Sequence, residues 1–118
     1  MRRTTAAGAL LLSALALAPV AISQAGAAKS KTIKIGDNFF APDSAKVAKD
    51  TKVVWRWPKY AGDVHDVKLR SGPKGVKKFH SDYASSDYSF ARTLKKPGKY
   101  VVICTLHQDM TMTIRVKS

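Results

Sequence analysis

The chain has 118 residues, with 21 Lys and Arg against 8 acidic residues, and a formal charge of +13. Every acid is an Asp; the sequence contains no Glu. Such a length admits one small domain and excludes an enzyme with separate substrate and cofactor domains, and a hydrophobic content of 45% excludes a disordered chain.

Met1-Arg2-Arg3 gives a basic start, Ala6 to Ile22 an apolar run, and Ala25-Gly26-Ala27 an A-x-A cleavage site. This is the three-part plan of a secretory signal peptide over residues 1–27. The apolar run, about 17 residues, sits at the short limit for spanning a bilayer, and Pro19 interrupts it. Removal is therefore expected over retention as an anchor. Arg2-Arg3 fits a twin-arginine export signal as well as an ordinary basic start. Cleavage after Ala27 leaves 91 of the 118 residues as one domain, 28–118, and removes two of the 21 basic residues, so the mature charge is +11. The expected location is extracytoplasmic: secreted, periplasmic or associated with the cell envelope.

The mature segment reads as short strands. Thr32 to Ile35 alternates with Ile33 and Ile35 on one side, and Asp37 to Asp43 breaks it. Ser44 to Val47 is a brief strand, and Lys49-Asp50 a turn. Thr51 to Trp57 places Val53, Trp55 and Trp57 on one face. His65, Val67 and Leu69 alternate with Asp66, Lys68 and Arg70, so a strand here points His65 inward. Ser71 to Gly75 is a turn cluster, and Phe79 to Asp87 an irregular loop. Tyr88 to Leu94 and Lys99 to Cys104 are strands, joined by a hairpin turn at Lys95-Lys96-Pro97-Gly98. The last strand, Thr111 to Lys117, puts Met112, Ile114 and Val116 on the same face as Met110. No helical period stands out beyond the leader. Seven to eight short strands separated by turn residues predict an all-β, two-sheet β-sandwich.

A small exported domain usually relies on disulfides, but Cys104 is the sole Cys. It is a buried inert thiol, half of an intermolecular disulfide, or a metal thiolate. Its surroundings speak for the last. Cys104-Thr105-Leu106-His107-Gln108-Asp109-Met110 offers a thiolate, an imidazole and a thioether in one loop between two strands, and inward-pointing His65 supplies a second imidazole. Two His, one Cys and a weak axial Met is the donor set of a blue-copper site. Zinc is the competing ion, but Met suits it poorly.

Gly98-Lys99-Tyr100, then Cys104-x-x-His107-x-x-Met110, then Thr113-Ile114-x-Val116 resembles the cupredoxin family, in its plastocyanin/amicyanin branch. Val53-x-Trp55-x-Trp57 ahead of His65-x-Val67, and Ile33-x-Ile35 through Phe40-x-Pro42, resemble its earlier strands. The resemblance implies a Greek-key sandwich with one copper near one end and a one-electron carrier outside the cytoplasm. It implies His65, Cys104 and His107 as ligands and Met110 as the axial one. Met112 fits an alternative family spacing. Asp66 stands where family members often have an Asn tying the two ligand loops; it is either a support of the site or an outward strand residue. His80 reads as a solvated side chain away from the ligand motif, and Trp55 and Trp57 read as core. By the same resemblance His107, with Leu106 beside it, is the electron port.

Cys104 is flanked by Ile103 and Thr105. The His-flanked relay of multicopper oxidases is missing, and no enzymatic activity is expected. Lys74, Lys77 and Lys78, and then Lys95, Lys96 and Lys99, form basic clusters. They suggest acidic docking surfaces on transient redox partners, or residence near an anionic envelope. No nucleic-acid-binding motif is present, and a monomer is expected. The sequence thus reads as an exported blue copper protein carrying single electrons. A copper-delivery protein and a metal-free interaction module are the alternatives.

Overall fold

Alternating apolar and polar residues in a strand put one face in the core and the other in water. That rule builds eight strands in the computed structural model, whose described residues are Lys29–Ser118. The leader expected over residues 1–27 lies outside the described residues. In chain order the strands are β1 (Ser30–Gly36), β2 (Phe39–Ala41), β3 (Ser44–Ala48), β4 (Thr51–Trp57), β5 (Lys68–Ser71), β6 (Tyr88–Leu94), β7 (Gly98–Ile103) and β8 (Thr111–Lys117). One sheet has the order β2-β1-β4-β6 and the other β3-β8-β7-β5. Among the described residues there is no helix. The expected two-sheet sandwich is the fold.

The core lies between the sheets. Ile33, Val53 and Trp55 from one sheet and Val102 and Ile114 from the other have no exposed surface. Phe79 and Phe90 pack against the Trp55 ring at centroid distances of 5.7 and 6.0 Å. Burying one such indole contributes about 4–6 kcal/mol, from its contact area and ~25 cal/mol per Å². A small domain held without disulfides depends on large side chains of this kind.

Three local readings differ from the structure. Phe39–Ala41, inside the expected break, is a short strand paired antiparallel with β1; Asn38, at φ 67°, makes the tight turn that returns it. Residues 95–97 are not a hairpin turn, because β6 and β7 belong to different sheets. Buried Leu94 and Tyr100 on either side both enter the core, so the chain steps over the end of the sandwich from one sheet to the other. His65 does not lie in a strand. It makes an isolated bridge with Ala84, and regular pairing starts only at Lys68.

Strand directions sort the connections into two ends. β1 runs parallel to β4, and β6 antiparallel to it. The Asp37–Asn38 turn, the 58–67 loop, residues 80–87 and the 104–110 loop therefore gather at one end. The 49–50, 72–78 and 95–97 connections gather at the other.

Candidate metal centre

The 104–110 loop is tied to itself before it meets anything else. The Cys104 N–H donates to the Met110 carbonyl at 3.0 Å, and the Met110 N–H to the His107 carbonyl at 3.3 Å. Asp109 takes φ 67° to allow the return, a conformation that Asp tolerates better than most residues. The loop is thus a closed turn capping the β7–β8 pair, and Cys104, His107 and Met110 project from a frame anchored at both ends.

The second contribution comes from 58–67. Gly62 has φ 84°, and a Cβ there would meet the Asp37 carboxyl group at 2.5 Å. Glycine lets the loop close on Asp37, whose Oδ1 accepts from the Asp63 N–H at 3.3 Å. His65 is then pinned by two backbone bonds to Ala84, its N–H donating at 2.9 Å and its carbonyl accepting at 3.1 Å.

Three donor atoms converge: a nitrogen from His65, the Cys104 sulfur and a nitrogen from His107, all within 4.8 Å of one another. His65 Nδ1 and His107 Nδ1 are 3.2 Å apart. Cys104 Sγ is 3.5 Å from His107 Nδ1 and 4.0 Å from His65 Nδ1. Donors sharing one first-row ion at ~2.0–2.3 Å lie about 3–4 Å from each other, so these spacings fit a single ion. The donor chemistry fits copper, since thiolate with two imidazoles serves both Cu(I) and Cu(II).

Protonation favours binding on the His65 side. Its Nε2 donates to the Ala61 carbonyl at 3.3 Å, which leaves the Nδ1 lone pair facing the site. Burial, and then the nearby His107, lower the His65 pKa, which favours the neutral ligating imidazole. Burial raises the Cys104 pKa, partly offset by the backbone N–H groups of Asp66 and Leu106 near the sulfur. A bound cation would remove that thiol proton. His65 and Cys104 are buried, whereas the His107 side chain keeps 21% of its surface exposed.

The two methionines part company. Both are buried, but Met112 Sδ accepts the Trp55 indole N–H at 3.3 Å and so belongs to the core. Met110 closes the loop that carries Cys104 and His107.

Asp66 is no outward strand residue: it is fully buried. Its Oδ1 accepts the Thr105 N–H at 2.6 Å. Its Oδ2 accepts the Thr105 hydroxyl at 2.7 Å and His80 Nε2 at 2.6 Å. Burial pushes the Asp66 pKa up, but the bonds from Thr105 and His80 outweigh it and the net shift is downward. His80 is 42% exposed, yet it bonds directly to Asp66 beside His65 and, through Asp66, reaches Thr105 beside Cys104. Sequence reading missed Thr105 and His80 in these roles. The adjacency of Asp66 to His65 and of Thr105 to Cys104 was a usable signal for Thr105. Nothing local marked His80, because the loop that brings it in is irregular.

Comparison with known proteins gives the family and the fold. Residues 27–117 match the family model described as copper binding proteins of the plastocyanin/azurin family. None of the curated proteins matches the chain. Among solved structures, a reduced amicyanin carrying a proline-to-phenylalanine substitution aligns with TM-score 0.64 and 19% identity, over 77% of this chain and 83% of that one. A reduced amicyanin with a tryptophan-to-tyrosine substitution aligns with TM-score 0.65 and 18% identity, over 79% of this chain and 87% of that one. A Cu-containing nitrite reductase (NirK) from Thermus scotoductus SA-01 aligns with TM-score 0.62 and 24% identity over 74% of this chain. This chain spans only 22% of that enzyme. At such identities the structural likeness speaks for the fold.

Proposed function

The chain belongs to the plastocyanin/azurin family of copper-binding proteins, and from that premise we propose that it is an exported carrier of single electrons. In this reading His65, Cys104 and His107 hold the copper and Met110 is its weak axial ligand. The observation that carries it is the convergence of one sulfur and two imidazole nitrogens within 4.8 Å. Copper supplies the one-electron change between Cu(I) and Cu(II). The protein's part is to hold the donors still. The closed 104–110 loop fixes two of them and the bridge to Ala84 fixes the third, which keeps the rearrangement on electron transfer small. The His107 edge, partly exposed and next to half-exposed Leu106, is the proposed route for the electron. Burial of His65 and Cys104 supports retention of the metal over delivery to another protein.

Export by a leader at residues 1–27, residence outside the cytoplasm and a monomeric state belong to the same reading. So do transient redox partners without an enzymatic activity of the chain's own. The lysine clusters, which lie at the end away from His107, support attachment there to an anionic envelope or an acidic surface.

The test is to add Cu(II) to the purified metal-free protein and record visible absorption beside the Cys104→Ser variant. A strong thiolate-to-copper charge-transfer band, cycled by a reductant and absent in the variant, is the expected result. Stoichiometric copper uptake without such a band would replace the electron carrier by a copper-holding protein.

A further inference from the structure

We infer that His80 is a positioning residue for the metal-binding loop, setting the direction of Cys104 through the buried carboxylate of Asp66. The inference rests on the copper reading above and deepens it.

The geometry is a clasp between three segments. Asp66 follows His65, and Thr105 follows Cys104; the Asp66 carboxylate joins them by accepting both polar hydrogens of Thr105. His80 arrives from a third segment and gives Oδ2 its second donor at 2.6 Å. A carboxylate has no hydrogen to give, so every partner must donate. A buried one without enough donors is costly, and donors to a charged oxygen form the stronger class of hydrogen bond. Asp66 is fully buried and finds all three of these donors from Thr105 and His80.

The third segment is itself fixed. The Leu69 N–H donates to the Phe79 carbonyl at 3.0 Å, and the Ser81 N–H to the Val67 carbonyl at 2.8 Å. Ser81 Oγ accepts the Val67 N–H at 2.8 Å. These bonds bracket His80 on both sides, so its ring is aimed by the backbone. Without it, Oδ2 keeps only the Thr105 hydroxyl, and the carboxylate can turn about its Cβ–Cγ bond to find water. The Thr105 peptide, directly after Cys104, then loses its fixed acceptor, and the Sγ direction toward His65 and His107 loosens.

The experiment compares the full chain with His80→Ala and His80→Gln, the amide of Gln restoring a donor. Two readouts are taken. In the metal-free protein, hydrogen exchange of the Thr105 amide is expected to speed up at least about tenfold in His80→Ala and to return toward the parent rate in His80→Gln. In the copper-loaded protein, the charge-transfer maximum and the reduction potential are expected to move in His80→Ala and to recover in His80→Gln. A purely structural role for this half-exposed ring would lower thermal stability while leaving potential and spectrum in place, and that outcome would overturn the proposal. Unchanged Thr105 exchange in His80→Ala would overturn it too. Absence of the band in the parent protein would instead count against the copper reading, and the exchange arm would still decide on the clasp.

Discussion

At the end of the sandwich that gathers His65, Cys104 and His107, the loops carry Asp37, Asp63, Asp66, Asp82, Asp87 and Asp109, with Lys59 as their one Lys or Arg. At the other end the connections carry Lys49, Lys74, Lys77, Lys78, Lys95 and Lys96, with Asp50 as their one acid. Among the described residues no Lys or Arg pairs with a carboxylate; the ion pairs found all join a His to an Asp. Asp37 and Asp63 lie 3.7 and 3.6 Å from the two candidate-ligand imidazoles. The span of β7, Gly98–Ile103, puts the lysine-rich end roughly 20 Å away at ~3.4 Å per residue. That is about two and a half Debye lengths at physiological salt. A partner near His107 therefore meets the loop carboxylates, with Arg70 lining the same concavity, and little of the far lysine cluster. The difference teaches that net charge does not give the charge of the loops around His107, because most of the other basic residues lie on the strands between the two ends.

The ends also differ in what holds them. The lysine-rich end rests on core side chains such as Leu94 and Tyr100 with a few hydrogen bonds between its connections, and the other end gathers hydrogen-bonded loops around donors suited to a cation. The largest expected effect separates these. Leu94→Ala, which hollows the core beneath the basic connections, should cost about 2–5 kcal/mol in denaturant unfolding while leaving the charge-transfer band in place. A shifted band would join the two ends that the comparison keeps apart. Copper loading should act the other way. A ligand at 100 times its Kd adds about 2.7 kcal/mol, so melting temperature should rise with copper in the parent and stay flat in Cys104→Ser.

Charge beside His107 predicts the sign of a salt effect. At low salt, electron exchange with a cationic complex such as hexaammineruthenium should be about tenfold faster than at high salt, and hexacyanoferrate should show the opposite trend. Asp63→Asn should weaken both trends, and Lys95→Gln should leave them alone. If rates follow the overall positive charge instead, the two-ended description fails. The smallest effect belongs to Tyr100→Phe. It removes the hydroxyl that donates to the Lys96 carbonyl at 2.7 Å, so stability should fall by about 1 kcal/mol with an unchanged reduction potential.

Much of this was legible in the residues. Period-two alternation marked the buried faces of β1, β4 and β8, since burial in a sheet follows the pleat. Cys104, His107 and Met110 are neighbours in sequence because one tight loop carries them, so their spacing was visible without a fold. His65 was found as an inward apolar-side position, although the strand expected there begins three residues later. The segment around it is irregular, and its pairing comes from Ala84, a partner that alternation does not name.

The sequence by itself determined the sandwich, its apolar faces and the donor types, because strand burial and metal-ligand chemistry are local properties. Tertiary structure alone decided the rest. It turned the 95–97 connection into a crossing between sheets, assigned Met112 to the Trp55 indole, and brought His80 onto Asp66. It also gathered most of the loop aspartates at one end and most of the loop lysines at the other. Each of these depends on segments far apart in the chain that meet only when the two sheets close, and charge composition is the same whichever end a residue occupies.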